Sequence, residues 1–275
     1  MTSQSVSNQL QTQEIHSVLL SILKVTIDLC ESENIAYCLI GGGCLGIVRH
    51  NHNLIPWDDD LDISIWAGDM PRFIQAAHKL PFPYMVSFNA NELNPIIKIM
   101  DTTTRIEISD PLLNLDKANQ GVFVDVVPMT YWPSLRWVRV NDWYAIVISI
   151  SQSSDSPTRW KRAVKRLLRY SGCLWVLVIL ARWFYEPLSE RVNRRCQEQQ
   201  TGYISGAIGK RWVVRCGWHV IFPTQKVRLG NVLVNTPNDL HEYVRSRYGD
   251  EYMQIPNPDI LWKHFDRAVR IKPQP

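Results

Sequence analysis

With 275 residues, 45% of them hydrophobic and 20% charged, the chain has the composition of a folded protein with ample core, which excludes disordered, collagen-like and coiled-coil readings. The length suits one large domain or a core with an appendage. Thirty Lys and Arg against 26 Asp and Glu leave a net charge of +4, too small a surplus for a general nucleic-acid binder, so no nucleic-acid partner is expected.

The six cysteines, Cys30, Cys38, Cys44, Cys173, Cys196 and Cys216, form no C-x-x-C pair and show no Cys/His zinc spacing. They read as reduced, mostly buried thiols. The polar start MTSQSVSNQLQTQE lacks the basic and apolar regions of a secretory signal, which favours a cytoplasmic location. The longest apolar run, Cys173 to Ala181, has nine residues, or twelve if extended past Arg182 to Phe184. Either length falls short of the ~20 needed to span a bilayer.

Along the chain, Ile15, Val18, Leu19, Ile22 and Leu23 recur with helical period and predict an amphipathic helix from about Gln9 to Glu33. Ile35–Ile40 predicts a short strand that stops at Gly41-Gly42-Gly43, with a short helix over Cys44–His50. Beyond Pro56, the alternation in Leu61–Trp66 predicts a strand with Leu61, Ile63 and Ile65 on one face and Asp62 and Ser64 on the other; Asp60 shares the Asp62 face. Asp69 followed by Pro71 predicts a helix over Met70–Lys79. Strands are expected at Tyr84–Phe88, Ile96–Met100, Thr104–Ser109 and Gly121–Val127, which together make an α/β (α+β) core with a mixed sheet.

From Thr158 onward the signals are helical, apart from a hairpin at Val227–Val234 around Gly230-Asn231 and a closing segment at Pro237–Tyr248. The division expected is a catalytic core over residues 1–132 and a mainly helical part over 133–275 packing on it. Residues 159–195 form a basic, Trp-rich insertion with ten basic and two acidic residues, Glu186 and Glu190. Two readings stand for that segment: an interfacial helix resting on an anionic membrane, or an ordinary packed helix with a basic outer face.

Chemistry concentrates in Pro56-Trp-Asp-Asp-Asp-Leu-Asp-Ile-Ser64, where four carboxylates fall within five residues. Asp60 and Asp62, two apart on a strand, project from one face and can jointly hold a hard divalent cation. Asp125, amid β-branched residues where an unpaired carboxylate is unfavourable, is the natural third ligand from a neighbouring strand. Gly41–Gly43, closing a strand and opening a helix, suit phosphate oxygens through backbone N–H groups. Asp58 reads as a loop cap and Asp59 as pointing away, so neither joins the metal set. The pair His50 and His52 lacks a third soft ligand, and His264 reads as a surface histidine.

The stretch Tyr37–Ile63, YCLIGGGCLGIVRHNHNLIPWDDDLDI, closely resembles the signature of the LicD/fukutin-related phosphotransferases, Y-x-L-x-G-G-T-L-L-G-x-x-R-H followed by I-P-W-D-D-D-I-D. The likeness extends more loosely through Ile97–Asp101, Gly121–Pro128 and Tyr248–Tyr252 with Pro256. It implies a nucleotidyltransferase-like fold and Mg²⁺- or Mn²⁺-dependent transfer of a phospho-alcohol, phosphocholine or an alditol phosphate, from a CDP-linked donor to a cell-surface or lipid-linked saccharide. Carried over by position, Asp60, Asp62 and Asp125 are the catalytic metal ligands. Gly42 and Gly43 face the donor phosphates, and Arg49 and Lys98 are candidate phosphate partners; each could equally serve an internal ion pair. The family pattern has Thr or Ser where this chain has Gly43. That departure opens the alternative of a degenerate site in a glycan-assembly interaction protein, and the same metal acids allow a second alternative, movement of a whole NMP from an NTP.

Overall fold

The computed structural model describes residues 9–88, 96–107, 121–152, 170, 172–206, 215–257 and 265–271. The chain forms two units, one of Met1–Pro128 with His219–Pro275 and one of Met129–Trp218. The fold is mixed α/β, as the strand and helix patterns predict.

The first unit opens with helix α1, Thr12–Ser32, whose buried stripe Ile15, Val18, Leu19, Ile22, Leu23, Thr26, Ile27 and Cys30 follows the predicted period. Its start is tied by the Gln11 N–H, which donates to Glu14 Oε2 at 2.8 Å. Strand β1, Tyr37–Ile40, runs directly into helix α2, Gly41–Arg49. The helix begins three residues before the position predicted, so the glycines form its first turn rather than a turn ahead of it. Gly41 has φ +63°, a backbone region that only glycine enters without strain, and this lets the chain pass from strand to helix with no intervening loop.

Strand β2, Asp62–Trp66, pairs antiparallel with β1 in the register Ile40 with Asp62 and Leu39 with Ile63. A short 3₁₀ turn, Ala67–Asp69, leads into α3, Met70–Ala77, with Pro71 in its first turn as predicted. Asp69 makes no side-chain cap there and pairs instead with Arg72 at 3.2 Å. Then come β3 (Tyr84–Ser87), β4 (Ile97–Asp101), β5 (Thr104–Glu107) and β6 (Phe123–Trp132). The central sheet of this unit has the order β1-β2-β6-β4-β3. Asp125 N–H donates to the Leu61 carbonyl and Ser64 Oγ to the Val127 carbonyl, so β2 and β6 run in the same direction, while β4 is antiparallel to β6. Leu39, Ile63, Ile65, Ile97, Ile99, Val124 and Val126 are fully buried, and each contributes on the order of 1.5–3 kcal/mol of burial.

In the second unit, helix α4 spans Leu135–Gln152, α5 spans Cys173–Leu180, a π-helical turn covers Ala181–Tyr185, and α6 spans Glu186–Gln199. Residues Met129–Trp132 of β6 pair antiparallel with β7 (Tyr203–Gly206), and β7 pairs with β8 (Arg215–Gly217). The sequence patterns do not predict α4, β7 or β8. The strands hold four and three residues, too few for alternation to register, and α4 mixes polar and apolar residues on every side. Of the basic insertion, Arg159–Arg169 lie outside the described residues, as do Ile108, Ser109 and His264.

The chain then returns to the first unit. The hairpin of β9 (Gln225–Leu229) and β10 (Val232–Thr236) turns at Gly230-Asn231 as predicted, and Gly230 has φ +55°. Helix α7, Leu240–Tyr248, is capped by Asp239, whose Oδ1 accepts the Glu242 N–H at 2.9 Å. It packs on α2. Strand β11, Arg267–Arg270, not foreseen from sequence, pairs antiparallel with β5.

Candidate functional site

The site collects where β1 ends, β2 begins and α2 starts. Because Ile40 pairs with Asp62, the first turn of α2 stands beside the first residue of β2. The consequence is a close approach of carboxylates to glycine: a Cβ on Gly41 would lie 2.6 Å from Asp62 Oδ2, and one on Gly42 would fall on Asp58 Oδ2. A side chain at either position would make those carboxylates shift from where they lie. The negative groups thereby sit at the positive end of the α2 dipole, which favours them there. The glycines therefore do more than expose N–H groups to a ligand. They admit the chain's own acids to the helix start.

Asp58, Asp59 and Asp60 lie in the loop before β2, with carboxylate oxygens within 4.8 Å of one another. The strand begins at Asp62, so Asp60 is not a strand residue, and the two-apart strand argument for sharing a face with Asp62 does not apply to it. What gathers Asp60 with its neighbours is loop curvature, and this same curvature brings in Asp58 and Asp59, which the sequence spacing left out. Asp59 is buried and accepts the Phe265 N–H at 3.4 Å, while the Asp58 carbonyl is held by His16 Nε2 at 2.9 Å. Among the described residues this is the group of acids gathered closely enough to share an ion, and Asp62 and Asp125 are not part of it.

Asp125 occupies the position on β6 expected of it, half-buried in a strand whose other residues are buried. Its backbone hydrogen bond to Leu61 sets it level with Asp62 on the adjacent strand. Lys98 is its register partner on β4, and the Lys98 ammonium donates to Asp125 Oδ1 at 2.7 Å while standing 3.3 Å from the centre of the Phe123 ring. Of the two readings of Lys98, the described structure thus displays the ion pair.

Arg49, in the last turn of α2, sends Nη1 to the carbonyls of Tyr252 and Gln254 at 3.0 and 2.9 Å and Nε to His50 Nε2 at 3.1 Å. Its guanidinium lies 5.9 Å from the Trp57 ring centre. In this arrangement Arg49 fastens the segment after α7 onto α2. Burial and the adjacent Arg49 charge hold the His50 imidazole below its ordinary pKa. His52 turns away, its Nδ1 paired with the Arg228 carbonyl at 3.1 Å, so the two histidines do not converge.

Two residues that the sequence did not single out complete the site. Tyr243, 1% exposed, accepts the Gly41 N–H on its hydroxyl at 3.0 Å and so anchors the first residue of α2. Its partner is 202 positions away, and no local pattern announces it. Tyr248 is 40% exposed as a residue, yet local desolvation of its hydroxyl holds that group above its ordinary pKa, with Arg247 opposing the shift and the charges of Asp58 and Asp62 adding to it. The only sequence signal for Tyr248 is that it opens the stretch Tyr248–Tyr252 of the family likeness.

Gly43, where the family pattern has Thr or Ser, is buried, and the Leu39 side chain fills the space a Cβ would need, at 2.9 Å. The missing hydroxyl is thus replaced by packing.

Residues 34–133 match the family described as LicD/FKTN/FKRP, nucleotidyltransferase domain. Over 96% of its length the chain is 25% identical to the lipopolysaccharide cholinephosphotransferase LicD of Haemophilus influenzae, 99% of which is covered. Shorter matches, 38% over 69 residues and 37% over 71, join it to uncharacterized proteins of Rickettsia typhi and Rickettsia prowazekii, covering 22% and 26% of those proteins.

Proposed function

We propose that the chain, whose residues 34–133 match the family described as LicD/FKTN/FKRP, nucleotidyltransferase domain, transfers a phospho-alcohol, phosphocholine or a related alditol phosphate, from a CDP-linked donor to a saccharide acceptor. The observation that carries this reading is the apposition of Asp58 and Asp62 to Gly41 and Gly42, with Asp125 and Lys98 level on the next two strands. The near full-length likeness to a cholinephosphotransferase supports phosphocholine as the first donor group to try.

The donor set is all oxygen and strongly anionic, which fits a hard divalent cation such as Mg²⁺ or Mn²⁺ and no soft metal. The loop acids Asp58, Asp59 and Asp60, whose carboxylate oxygens lie within 4.8 Å of one another, would hold it, with Asp62 beside them at the start of α2 and Asp125 level with Asp62 on β6. When bound, such an ion supplies neutralisation of the charge that develops on the phosphoryl group in flight. The start of α2 offers its dipole to the donor phosphates. Tyr243 keeps Gly41 in its left-handed conformation, so the helix start does not shift as charge arrives. Lys98 holds the Asp125 carboxylate in one orientation and adds a positive charge to that side of the site. An acid of the loop cluster would accept the proton of the attacking saccharide hydroxyl.

The test is binding of CDP-choline, CDP-ribitol, CDP-glycerol and CTP with and without Mg²⁺, to the wild type and to the Asp60→Ala/Asp62→Ala variant. Metal-dependent affinity for one CDP-alcohol should fall at least tenfold in the variant, and turnover should release CMP. Equal binding by both proteins would remove these acids from the site. Pyrophosphate release from an NTP would assign NMP transfer instead.

A further inference from the structure

The second unit has a helical face of a very different kind. On α5 and the π-helical turn, Leu174, Val178, Ala181 and Tyr185 recur along one stripe and pack on Tyr144 and Val147 of α4. The Tyr144 ring meets that of Tyr185 at 4.8 Å, and the two ends are pinned by Tyr144 donating to Glu186 and Tyr185 to Asn141. Apart from Arg182, the outward side chains are apolar too, and exposed: Ile179 is 55% accessible, Phe184 71% and Trp183 77%, with Trp175, Val176, Leu177, Leu180 and Leu188 similarly open. A helix that is apolar all round belongs in a core or in lipid, and a contiguous outward patch of this kind marks a surface that something covers.

We propose that this face docks on the surface of an anionic lipid bilayer, with the helix lying in the plane of the interface. Length excludes crossing. The apolar part, 8 residues of α5 and 5 of the π turn, reaches roughly 20 Å at ~1.5 Å per residue. A hydrocarbon core of ~30 Å is out of its reach, and among the described residues no helix is long and apolar enough to span one.

The side chains fit an interface better than a protein groove. Trp175 and Trp183 are amphipathic rings of the kind that settle at headgroup depth, and Arg182 stands between them on the exposed surface. Along α6, Arg191, Arg194 and Arg195 are also exposed. In sequence, residues 159–195 carry a local charge of +8, while the remainder of the chain is −4. Among the described residues, Arg182 on the apolar stretch and Arg191, Arg194 and Arg195 on the helix that follows put exposed positive charge next to this face, which is the pattern that matches anionic headgroups. A second copy of the chain is the weaker occupant. A two-fold contact through this helix would bury Arg182 against a stretch, Cys173–Tyr185, that holds no acid to pair with it.

The experiment is co-flotation of the full chain with phosphatidylcholine vesicles containing or lacking phosphatidylserine, at low and high salt, alongside sedimentation to read the oligomeric state. The wild type should float with the anionic vesicles only, and less at high salt. Ile179→Ser/Trp183→Ser should weaken binding at least tenfold, and Arg182→Glu by roughly fivefold or more. These positions face away from the Leu174–Tyr185 stripe, and circular dichroism checks that the variants keep their helix. Three results would each overturn the proposal: no binding of the folded wild type to anionic vesicles, undiminished binding by Ile179→Ser/Trp183→Ser, or a dimer that this same variant turns into monomer. The assay needs neither donor nor acceptor, so it succeeds or fails independently of the transfer reading.

Discussion

The start of α2 and the outer face of α5 set opposite problems for the same chain. At α2 the polar groups are drawn inward: glycines give up their side chains so that Asp58 and Asp62 can reach the helix start, and a tyrosine hydroxyl 202 residues away satisfies Gly41. At α5 the apolar groups are pushed outward, with Trp183 and Phe184 more than two-thirds exposed. Each arrangement is unfavourable for a protein alone in water. Crowded carboxylates repel, and exposed aromatics forfeit the burial that stabilises a core. An arrangement that opposes stability is where function concentrates, and the two regions point to different ligands: a cation with phosphate at one, lipid at the other.

The comparison breaks most sharply at Gly42. In Gly42→Ala the new methyl falls on Asp58 Oδ2, so the carboxylate must swing away from the helix start. Alanine is otherwise a better helix former than glycine by about 0.8–1 kcal/mol, and Gly42 is not among the positive-φ residues. Stability should therefore hold while transfer falls by about a hundredfold or more, the scale expected when a catalytic group is displaced by an ångström. Thermal melts together with CMP release measure both. A variant that unfolds, or one that keeps full turnover, would show that Gly42 serves packing and not the placement of an acid.

Much of the first region was legible because its signals are local. The strand, the glycines and the acid run occupy Tyr37–Asp62, and their order alone places an acidic loop beside a helix start. Asp125 was legible for another reason, as a carboxylate in a strand of β-branched residues, and β6 does bring it level with Asp62. The strand alternation does not reach Asp60, which lies two residues before β2. Asp60 precedes the strand, so its company is Asp58 and Asp59. Tyr243 was out of reach because its contact with Gly41 is made by the fold and not by spacing. In the second region the sequence showed charge and tryptophan but left open which side faced out. The buried stripe Leu174, Val178, Ala181 and Tyr185 reads as any helix interior until the rest of the circumference is seen to be apolar and bare.

A matched pair of truncations sharpens the contrast. Ile63 is fully buried on β2, and Ile179 is 55% exposed on α5. Removing the Ile63 side chain leaves a cavity beside the site, and Ile63→Ala should lower stability by about 2–5 kcal/mol. Ile179→Ala removes the same atoms from a surface position and should change it by less than about 0.5 kcal/mol. Urea titrations of the two variants decide the matter. A large loss at Ile179 would mean that its face is covered within the protein itself, and the lipid proposal would fall with it.

The smallest effect is a slope in pH. Burial pushes the Cys30 thiol up to about 12 from 9.0, with the charges of Glu31 and Asp69 adding to it. In the unfolded chain the thiol ionises above about 9, whereas in the folded chain it keeps its proton to about 12. Across that window the folded state binds more protons, so its stability is complete below pH 9 and declines as pH rises, by at most about 1.4 kcal/mol per unit for this one group. Tyr37, raised to about 12 in the same way, and the buried Cys44 add slopes of the same sign. Subtracting the curve of Cys30→Ala from that of the wild type isolates the Cys30 contribution, because the lost sulfur lowers stability by an amount independent of pH. The two curves should stand apart by a constant below pH 9 and converge above it. If they stay parallel to pH 11, Cys30 reaches solvent as a thiolate in the folded state, and the α1 stripe it belongs to is not the sealed face that holds the sheet, and with it the start of α2, in place.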